Sequence, residues 1–336
     1  HSIYTLGIET SCDDTAASIL LNNKVLSNVI SSQDIHRLYG GVVPELASRE
    51  HQKLITPIVN EAIIKSGINK NQINSVAFTR GPGLLGSLLV GTSFAKSLSI
   101  GLDVPLIEIN HMQAHILSIF IESDQKPPNF PFLALTVSGG HTQLVIVKDY
   151  FQMEEIGRTL DDAAGEAFDK SGKVIGLDYP SGPIIDKLSK KGDPNAFKFT
   201  KPKVEGLNFS FSGLKTGFMN FIKKESLANE DFIKNRLNDI CASIQNTIID
   251  ILIEKIVSAV EITQIKDIVI CGGVSANSIL RERITDIGKD NKWKIYFPEI
   301  HYSTDNAAMI GVAGYLKYKE SIISDLSCSA NARYKI

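Results

Sequence analysis

Short apolar runs and helix-period segments alternate along this chain, and the same order appears twice. Residues 3–9, 16–21 and 25–30 predict three strands joined by small polar turns, Thr10 to Thr15 and Asn22-Asn23. In residues 45–65, Leu46, Leu54, Ile55, Ile58, Val59, Ala62 and Ile63 recur at helical spacing, and Pro57 is expected to kink or split that helix. A strand at 75–79, a bend at Arg80-Gly81-Pro82-Gly83, a helix over 84–100 and a strand at 104–109 follow. Residues 132–137, 142–147 and 151–156 then repeat the three-strand opening, with Ser138-Gly139-Gly140-His141 at the place of the first polar turn. A helix over 242–262, a strand at 267–270, a helix over 278–284 and a strand at 294–297 complete the second half. A duplicated meander followed by helix and strand predicts two similar α/β domains, with a ligand held between the two hairpin turns.

Composition narrows the class. The chain has 336 residues, enough for two domains with large cores. Its 35 basic and 37 acidic residues nearly cancel, so no global field marks a polyanion partner, although a local basic surface remains open. Cys12, Cys241, Cys271 and Cys328 show no CxxC spacing and read as reduced thiols. No apolar run of membrane-spanning length and no secretion signal is read in the sequence, which predicts a cytoplasmic protein with no membrane partner. His1-Ser2 in place of an initiator Met reads as a cloning remnant or a processed end.

The sharpest chemical signal is Asn110-His111-Met112-Gln113-Ala114-His115, between a strand and a helix-like run. Asn110 suits an N-cap. Histidines at i and i+4 share one helix face, a spacing that lets two imidazoles reach one ion. By spacing alone, two histidines with unrelated roles remain an alternative. Asp305, near the start of a later helix, offers a third, oxygen ligand. The bend at 80–83 ahead of a helix is an anion-site geometry, but Gly86 and Gly91 favour close packing there instead. Asp162, Glu166 and Asp169 are spaced to share a helix face, either as a solvated acidic stripe or as a set meeting ligand hydroxyls or a cation. The Gly272-Gly273 turn after a buried strand lets a planar ring lie against the backbone. Residues 187–224 hold nine lysines against Asp193 and Glu205, with Phe197, Phe199, Phe209, Phe211 and Phe218 among them. That mixture suits a nucleic-acid surface, with Lys198, Lys201, Lys203 and Lys215 as contacts; the alternative is a solvated surface over core phenylalanines.

Taken together, Gly7-Ile8-Glu9-Thr10-Ser11-Cys12-Asp13-Asp14-Thr15, Gly40-Gly41-Val42-Val43-Pro44-Glu45, the His111/His115 motif, Val137-Ser138-Gly139-Gly140-His141-Thr142, residues 161–169, Gly272-Gly273-Val274-Ser275-Ala276-Asn277 and Ser303-Thr304-Asp305-Asn306 closely resemble the TsaD family. These are the tRNA N(6)-adenosine threonylcarbamoyltransferases. The resemblance runs in order from about residue 4 to about residue 315.

The resemblance implies two duplicated actin/Hsp70/sugar-kinase-like (ASKHA) domains with a ligand cleft between them. We place them at residues 1–108 and 109–320, with a basic insert near 187–224 and a tail at 321–336. It implies transfer of threonylcarbamoyl from threonylcarbamoyl-AMP to the N(6) amine of adenosine 37 in tRNAs reading ANN codons, with AMP released. It implies one iron or zinc ion on His111, His115 and Asp305, and a donor site lined by Val137, Ser138, Gly139, Gly140, His141, Asp169, Gly182, Asp186 and Asn277. Implied partners are tRNA, an inactive paralogue, a small P-loop ATPase and a separate threonylcarbamoyl-AMP synthase. A carboxylate, Asp13 before Asp14, is the expected acceptor of the amine proton. Asp14 stands where many members carry Glu, one methylene longer. The sequence argues against a zincin peptidase, because Met112 stands where the His-Glu-x-x-His general base belongs. The rivals are a sugar or acetate kinase, for which the His pair has no task, and an inert scaffold paralogue.

Overall fold

In a computed structural model of the protein every residue is described except His1, Asp34, Ile35, Arg37, Leu38 and Gly40. The cloning remnant or processed end expected at His1 and the first glycine of the Gly40-Gly41 loop lie outside the described residues. The chain divides into two compact units, His1–Pro127 with Pro298–Ile336, and Pro128–Phe297.

Unit 1 is built on a five-stranded sheet of β1 (Tyr4–Glu9), β2 (Asp14–Leu21), β3 (Lys24–Ser32), β4 (Ser75–Gly81) and β5 (Leu106–Asn110), in the order β3-β2-β1-β4-β5. The first three form an antiparallel meander, and β4 and β5 add in parallel. Parallel strands covered on both faces must be apolar throughout, and β1 and β4 carry Leu6, Ile8, Val76, Ala77 and Phe78 with no more than 1% exposure. Helices α1 (Pro44–Ser66) and α2 (Leu85–Leu102) pack with this sheet, and α3 (His111–Leu117) leaves the end of β5. Pro57 neither ends nor splits α1. It is exposed, so the backbone oxygen deprived of its helical donor can be solvated. By length and composition, α2 is the one helix among the described residues long and apolar enough to cross a membrane, an overlap the sequence reading did not register. It packs against α1 and β4.

Unit 2 repeats the plan with β6 (Phe132–Val137), β7 (Thr142–Val147), β8 (Met153–Arg158), β9 (Asp267–Cys271) and β10 (Lys294–Tyr296), in the order β10-β9-β6-β7-β8. The pairing pattern is the same, antiparallel for β6-β7-β8 and parallel for β6-β9-β10. Its helices are α4 (Ala164–Val174), α5 (Gly182–Ser189), α6 (Ser212–Ala228), α7 (Phe232–Thr263) and α8 (Ser278–Asn291). The chain then returns to unit 1 through α9 (Ala307–Lys319). Here α9 lies so close to β1 that a Cβ on Gly7 would sit 2.4 Å from the Ala307 oxygen.

These observations differ from four expectations. The two compact units divide at Pro127/Pro128 and Phe297/Pro298, not at the expected 108/109 and 320/321. His111 and His115 belong to unit 1, and residues 298–336 return to it because α9 packs on β1, β2 and β4. The 321–336 segment is no free tail: Asn331 N donates to Arg80 O at 2.8 Å, and the Tyr334 hydroxyl donates to Glu108 Oε1 at 3.0 Å. The aromatic half of the basic segment is core. Phe209, Phe211 and Phe218 are fully buried, while Phe197 and Phe199 pack on the same cluster. The Phe197 and Phe221 rings lie 5.0 Å apart, and those of Phe199 and Phe218 lie 5.3 Å apart. Ring packing of that kind fills a core; it leaves Phe209, Phe211 and Phe218 no free face for a base, while Phe197 and Phe199 stay partly exposed. The acidic helix also starts later than expected, at Ala164. Asp162 lies before it and pairs with Lys170 at 2.7 Å, as does Glu166, so the carboxylates are offset by a lysine and no bare acidic stripe forms.

Candidate metal centre

Three elements of unit 1 deliver the candidate ligands. Asn110 ends β5 and caps α3, its Oδ1 accepting from Met112 N at 2.9 Å and Gln113 N at 3.1 Å. That cap starts the helix at His111, so His111 and His115 lie one turn apart on one face. Asn306 caps α9 in the same way, accepting from Met309 N at 3.0 Å, which holds Asp305 just outside the helix start. His111 and His115 are buried, and 27% of the Asp305 side chain is exposed.

The three side chains converge. His111 Nε2 lies 3.4 Å and His115 Nε2 lies 3.1 Å from the same oxygen, Asp305 Oδ1. The imidazoles meet edge to face, with centroids 4.7 Å apart. One ligand atom from each of the three residues lies within 4.8 Å of the others. Zinc–nitrogen and zinc–oxygen bonds near 2.1 Å put neighbouring donors of a tetrahedral ion about 3.4 Å apart. The spacing and the two-imidazole, one-carboxylate donor set therefore fit a divalent transition ion. His115 Nδ1 is buried with no hydrogen-bond partner among the described residues, a polar atom that packing alone does not explain.

A fourth residue belongs to the cluster, and the sequence reading missed it. Glu9, at the end of β1, is 1% exposed and meets His111 Nδ1 at 3.0 Å. Burial disfavours charge on all three groups, but their mutual attraction wins. Glu9 and Asp305 hold the His111 imidazolium well above the usual histidine range, while His111 holds both carboxyls below theirs. The signal available beforehand was an acidic residue inside an apolar strand.

Asp13 and Asp14 lie beside this cluster in sequence, at the polar turn into β2. Burial pushes the Asp14 carboxyl up to about 7, aided by Asp13, Asp305 and Glu9 and opposed by a hydrogen bond from Ser32. The buried His51 of α1 steadies that turn, with Nδ1 2.7 Å from Thr15 Oγ1 and Nε2 2.9 Å from the Cys12 oxygen.

Unit 2 gathers the remaining sequence-selected residues. β6 and β9 are adjacent and parallel, so the turn at Ser138–His141 and the turn from Gly272 stand at the same end of the sheet. Gly139 and Gly140 are exposed, while Ser138 O accepts from Gly165 N at the start of α4, at 3.2 Å. Gly272 has φ +88°, and a Cβ there would lie 2.4 Å from the Val137 oxygen. Its lack of a side chain is therefore required by the chain's own packing. Gly273 opens the 3-10 turn Gly273–Ala276.

The polar members have partners within the unit. Asp169 accepts from Ser181 N at 2.8 Å, beside Gly182 at the start of α5, and burial raises its carboxyl against that bond. Asp186 accepts from Ser278 N and Oγ at 3.2 and 2.9 Å. Asn277 caps α8 through Leu280 N at 3.0 Å and donates to Gln245 Oε1 at 2.7 Å. Hydrogen bonds thus hold in place the loops that these residues flank. Of the four selected lysines, Lys198 and Lys203 are exposed and Lys215 is half-buried, while Lys201 is engaged by Glu254 and Asp250 of α7.

Comparison with known proteins identifies the family. A family model described as tRNA N6-adenosine threonylcarbamoyltransferase matches residues 24–312. A protein of that name from Christiangramia forsetii is 59% identical over 336 residues, covering 100% of this chain and 99% of its own. One from Riemerella anatipestifer is 58% identical over 332 residues, covering 98% of this chain and 97% of its own. Among solved structures, the HypF of T. kodakarensis aligns with a TM-score of 0.62 at 14% identity, over 96% of this chain and 48% of its own. A ROK hexokinase from Thermus thermophilus aligns at 0.53 and 12% identity, over 95% of this chain and 100% of its own. These structural likenesses establish the ASKHA fold, and the close sequence relatives establish more: the chain belongs to the TsaD family, the tRNA N6-adenosine threonylcarbamoyltransferases, and is a transferase.

Proposed function

We propose that this enzyme moves the threonylcarbamoyl group from threonylcarbamoyl-AMP to the N(6) amine of adenosine 37 in tRNAs reading ANN codons, with AMP as leaving group. The observation that carries the reading is the convergence of His111, His115 and Asp305 in a chain 59% identical to a protein of that name. The acceptor is an aromatic amine and a weak nucleophile, so positioning and charge stabilisation must supply most of the acceleration.

His111, His115 and Asp305 would hold an iron or zinc ion, which when bound supplies Lewis acidity to carbonyl or phosphate oxygens of the donor. The exposed Ser138–His141 turn and the Gly272-Gly273 turn offer backbone amides to the nucleotide. Asp169, Gly182, Asp186 and Asn277 set the loops around them. Asp14, with its carboxyl near 7, suits acceptance of the amine proton at neutral pH better than the sequence-based preference for Asp13 allowed. A cytoplasmic setting, an inactive paralogue, a P-loop ATPase and a separate synthase of the donor remain part of this proposal. The test is a transfer assay with tRNA, threonine, bicarbonate, ATP and those helpers. Formation of threonylcarbamoyladenosine that depends on this chain supports the reading. Its absence, with every other component active, overturns it.

A further inference from the structure

We propose that Glu9 is a positioning residue of this centre, fixing the His111 ring so that Nε2 is the nitrogen turned toward Asp305. The inference rests on the metal reading above.

Glu9 sits where a strand facing two helix layers should be apolar, and 1% of it is exposed. A buried carboxylate is costly unless its oxygens are satisfied. Here every contact is assigned. Oε1 accepts from Ser11 N at 2.5 Å; Oε2 accepts from Thr79 Oγ1 at 2.5 Å and faces His111 Nδ1 at 3.0 Å. Ser11 Oγ also lies 3.3 Å from that nitrogen. The Ser11 amide and the Thr79 hydroxyl, from the turn after β1 and from β4, lock the carboxylate in one orientation. That orientation presents an acceptor to Nδ1.

An imidazole donating from Nδ1 keeps its Nε2 lone pair for a ligand, and a carboxylate acceptor raises the basicity of that nitrogen. His111 Nε2 is the atom 3.4 Å from Asp305 Oδ1. The two histidines are therefore unequal. His111 is held from behind by a carboxylate, while His115 Nδ1 has no partner among the described residues. His111 is the fixed ligand and His115 the adjustable one.

The test uses the full-length protein, metal-stripped and titrated with Zn2+ against a chromophoric chelator. Glu9→Gln keeps the shape but offers an amide that can donate to Nδ1, which favours the proton on Nε2. Its Zn2+ affinity should fall 10- to 100-fold, and its Co2+-loaded form should show altered ligand-field bands. Unchanged affinity and bands in a folded Glu9→Gln protein overturn the proposal and leave the metal reading standing, provided His115→Ala and Asp305→Ala weaken binding. If those two variants bind as the parent does, the metal reading fails and this inference with it. A measurement on the unaltered protein covers the case in which Glu9→Gln does not fold. In the Zn2+-loaded, 15N-histidine-labelled protein, His111 should carry its proton on Nδ1, and a proton on Nε2 overturns the assignment.

Discussion

Asn110 donates from its side-chain amide to the Lys335 backbone oxygen at 2.9 Å, while its Oδ1 caps the helix bearing both candidate histidine ligands. One side chain thus ties residues 334–335 to the start of α3, with a second bond to the Tyr334 oxygen at 3.3 Å. The same segment is gripped from β4 and β5. The Arg80 guanidinium lies 4.7 Å from the centre of the Tyr334 ring and donates to Glu108 Oε1 at 2.8 Å.

Asn110→Asp separates the two tasks, since it keeps the capping oxygen and replaces the donor with an acceptor facing two carbonyls. We expect residues 329–335 to exchange amide hydrogens faster in this variant, with the α3 amides little changed. Asn110→Ala should lose the cap as well, at about 1 kcal/mol in urea denaturation. Equal protection of residues 329–335 in Asn110→Asp and the parent would show that Arg80 and Tyr334 hold the segment without Asn110.

The metal prediction is direct. The purified protein should hold about one equivalent of a divalent transition ion by elemental analysis, and His111→Ala should lose most of it, because only His115 and Asp305 of the candidate cluster then remain to hold the ion. Full occupancy in His111→Ala would remove His111 from the ligand set.

Asp14 gives the pH prediction. Its folded value near 7 stands above an unfolded value near 3.9, a gap of about three. A raised carboxyl contributes stability that is complete below about pH 4 and is lost as pH rises through about 7. The ceiling is about 4 kcal/mol, reduced because the side chain is partly exposed. Asp14→Asn should therefore gain stability over the parent at pH 8, by roughly 1–3 kcal/mol, relative to the difference at pH 4. A urea-midpoint difference that does not vary with pH would mean that Asp14 ionises as it does in the unfolded chain.

The strand meanders were legible because their apolar runs and polar turns are local signals, and the Asn110 cap was legible because capping chemistry is local too. The unit boundary was not, because the return of residues 298–336 is decided by packing of α9 on β1, far away in sequence. Glu9 was overlooked for a related reason: its partners Thr79 and His111 lie 70 and 102 residues away. The phenylalanines at 197–218 misled, because composition cannot tell a ring under a basic surface from a ring upon it.

The adjacent glycines at the end of β9 should respond differently. Gly272→Ala meets both a positive φ and the Val137 oxygen, so a loss of about 1–3 kcal/mol in stability is expected. Gly273→Val is expected to fold and to weaken nucleotide binding, measured by AMP titration. Unchanged AMP affinity in Gly273→Val would move the nucleotide away from this turn.

Charge is what recommends the tRNA surface, since Phe209, Phe211 and Phe218 lie in the core and Phe197 and Phe199 pack against it. Lys198 and Lys203 are exposed. Lys201 is raised above the usual lysine range by Glu254 and Asp250, which outweigh its burial, and those partners have already neutralised much of its charge. Its substitution should therefore cost less binding than either neighbour. A lysine that meets a phosphate releases counterions, and its loss lowers the slope of log affinity against log salt by nearly one. We expect Lys198→Ala/Lys203→Ala to bind tRNA more weakly, with a slope shallower by up to about two, and adding Lys201→Ala to change the slope little further. Metal content should stay at the parent level, since the three lysines belong to unit 2 and the candidate ligands to unit 1. Identical slopes in the double variant and the parent, measured with and without helper proteins, would place the tRNA on another surface of this chain or on a partner.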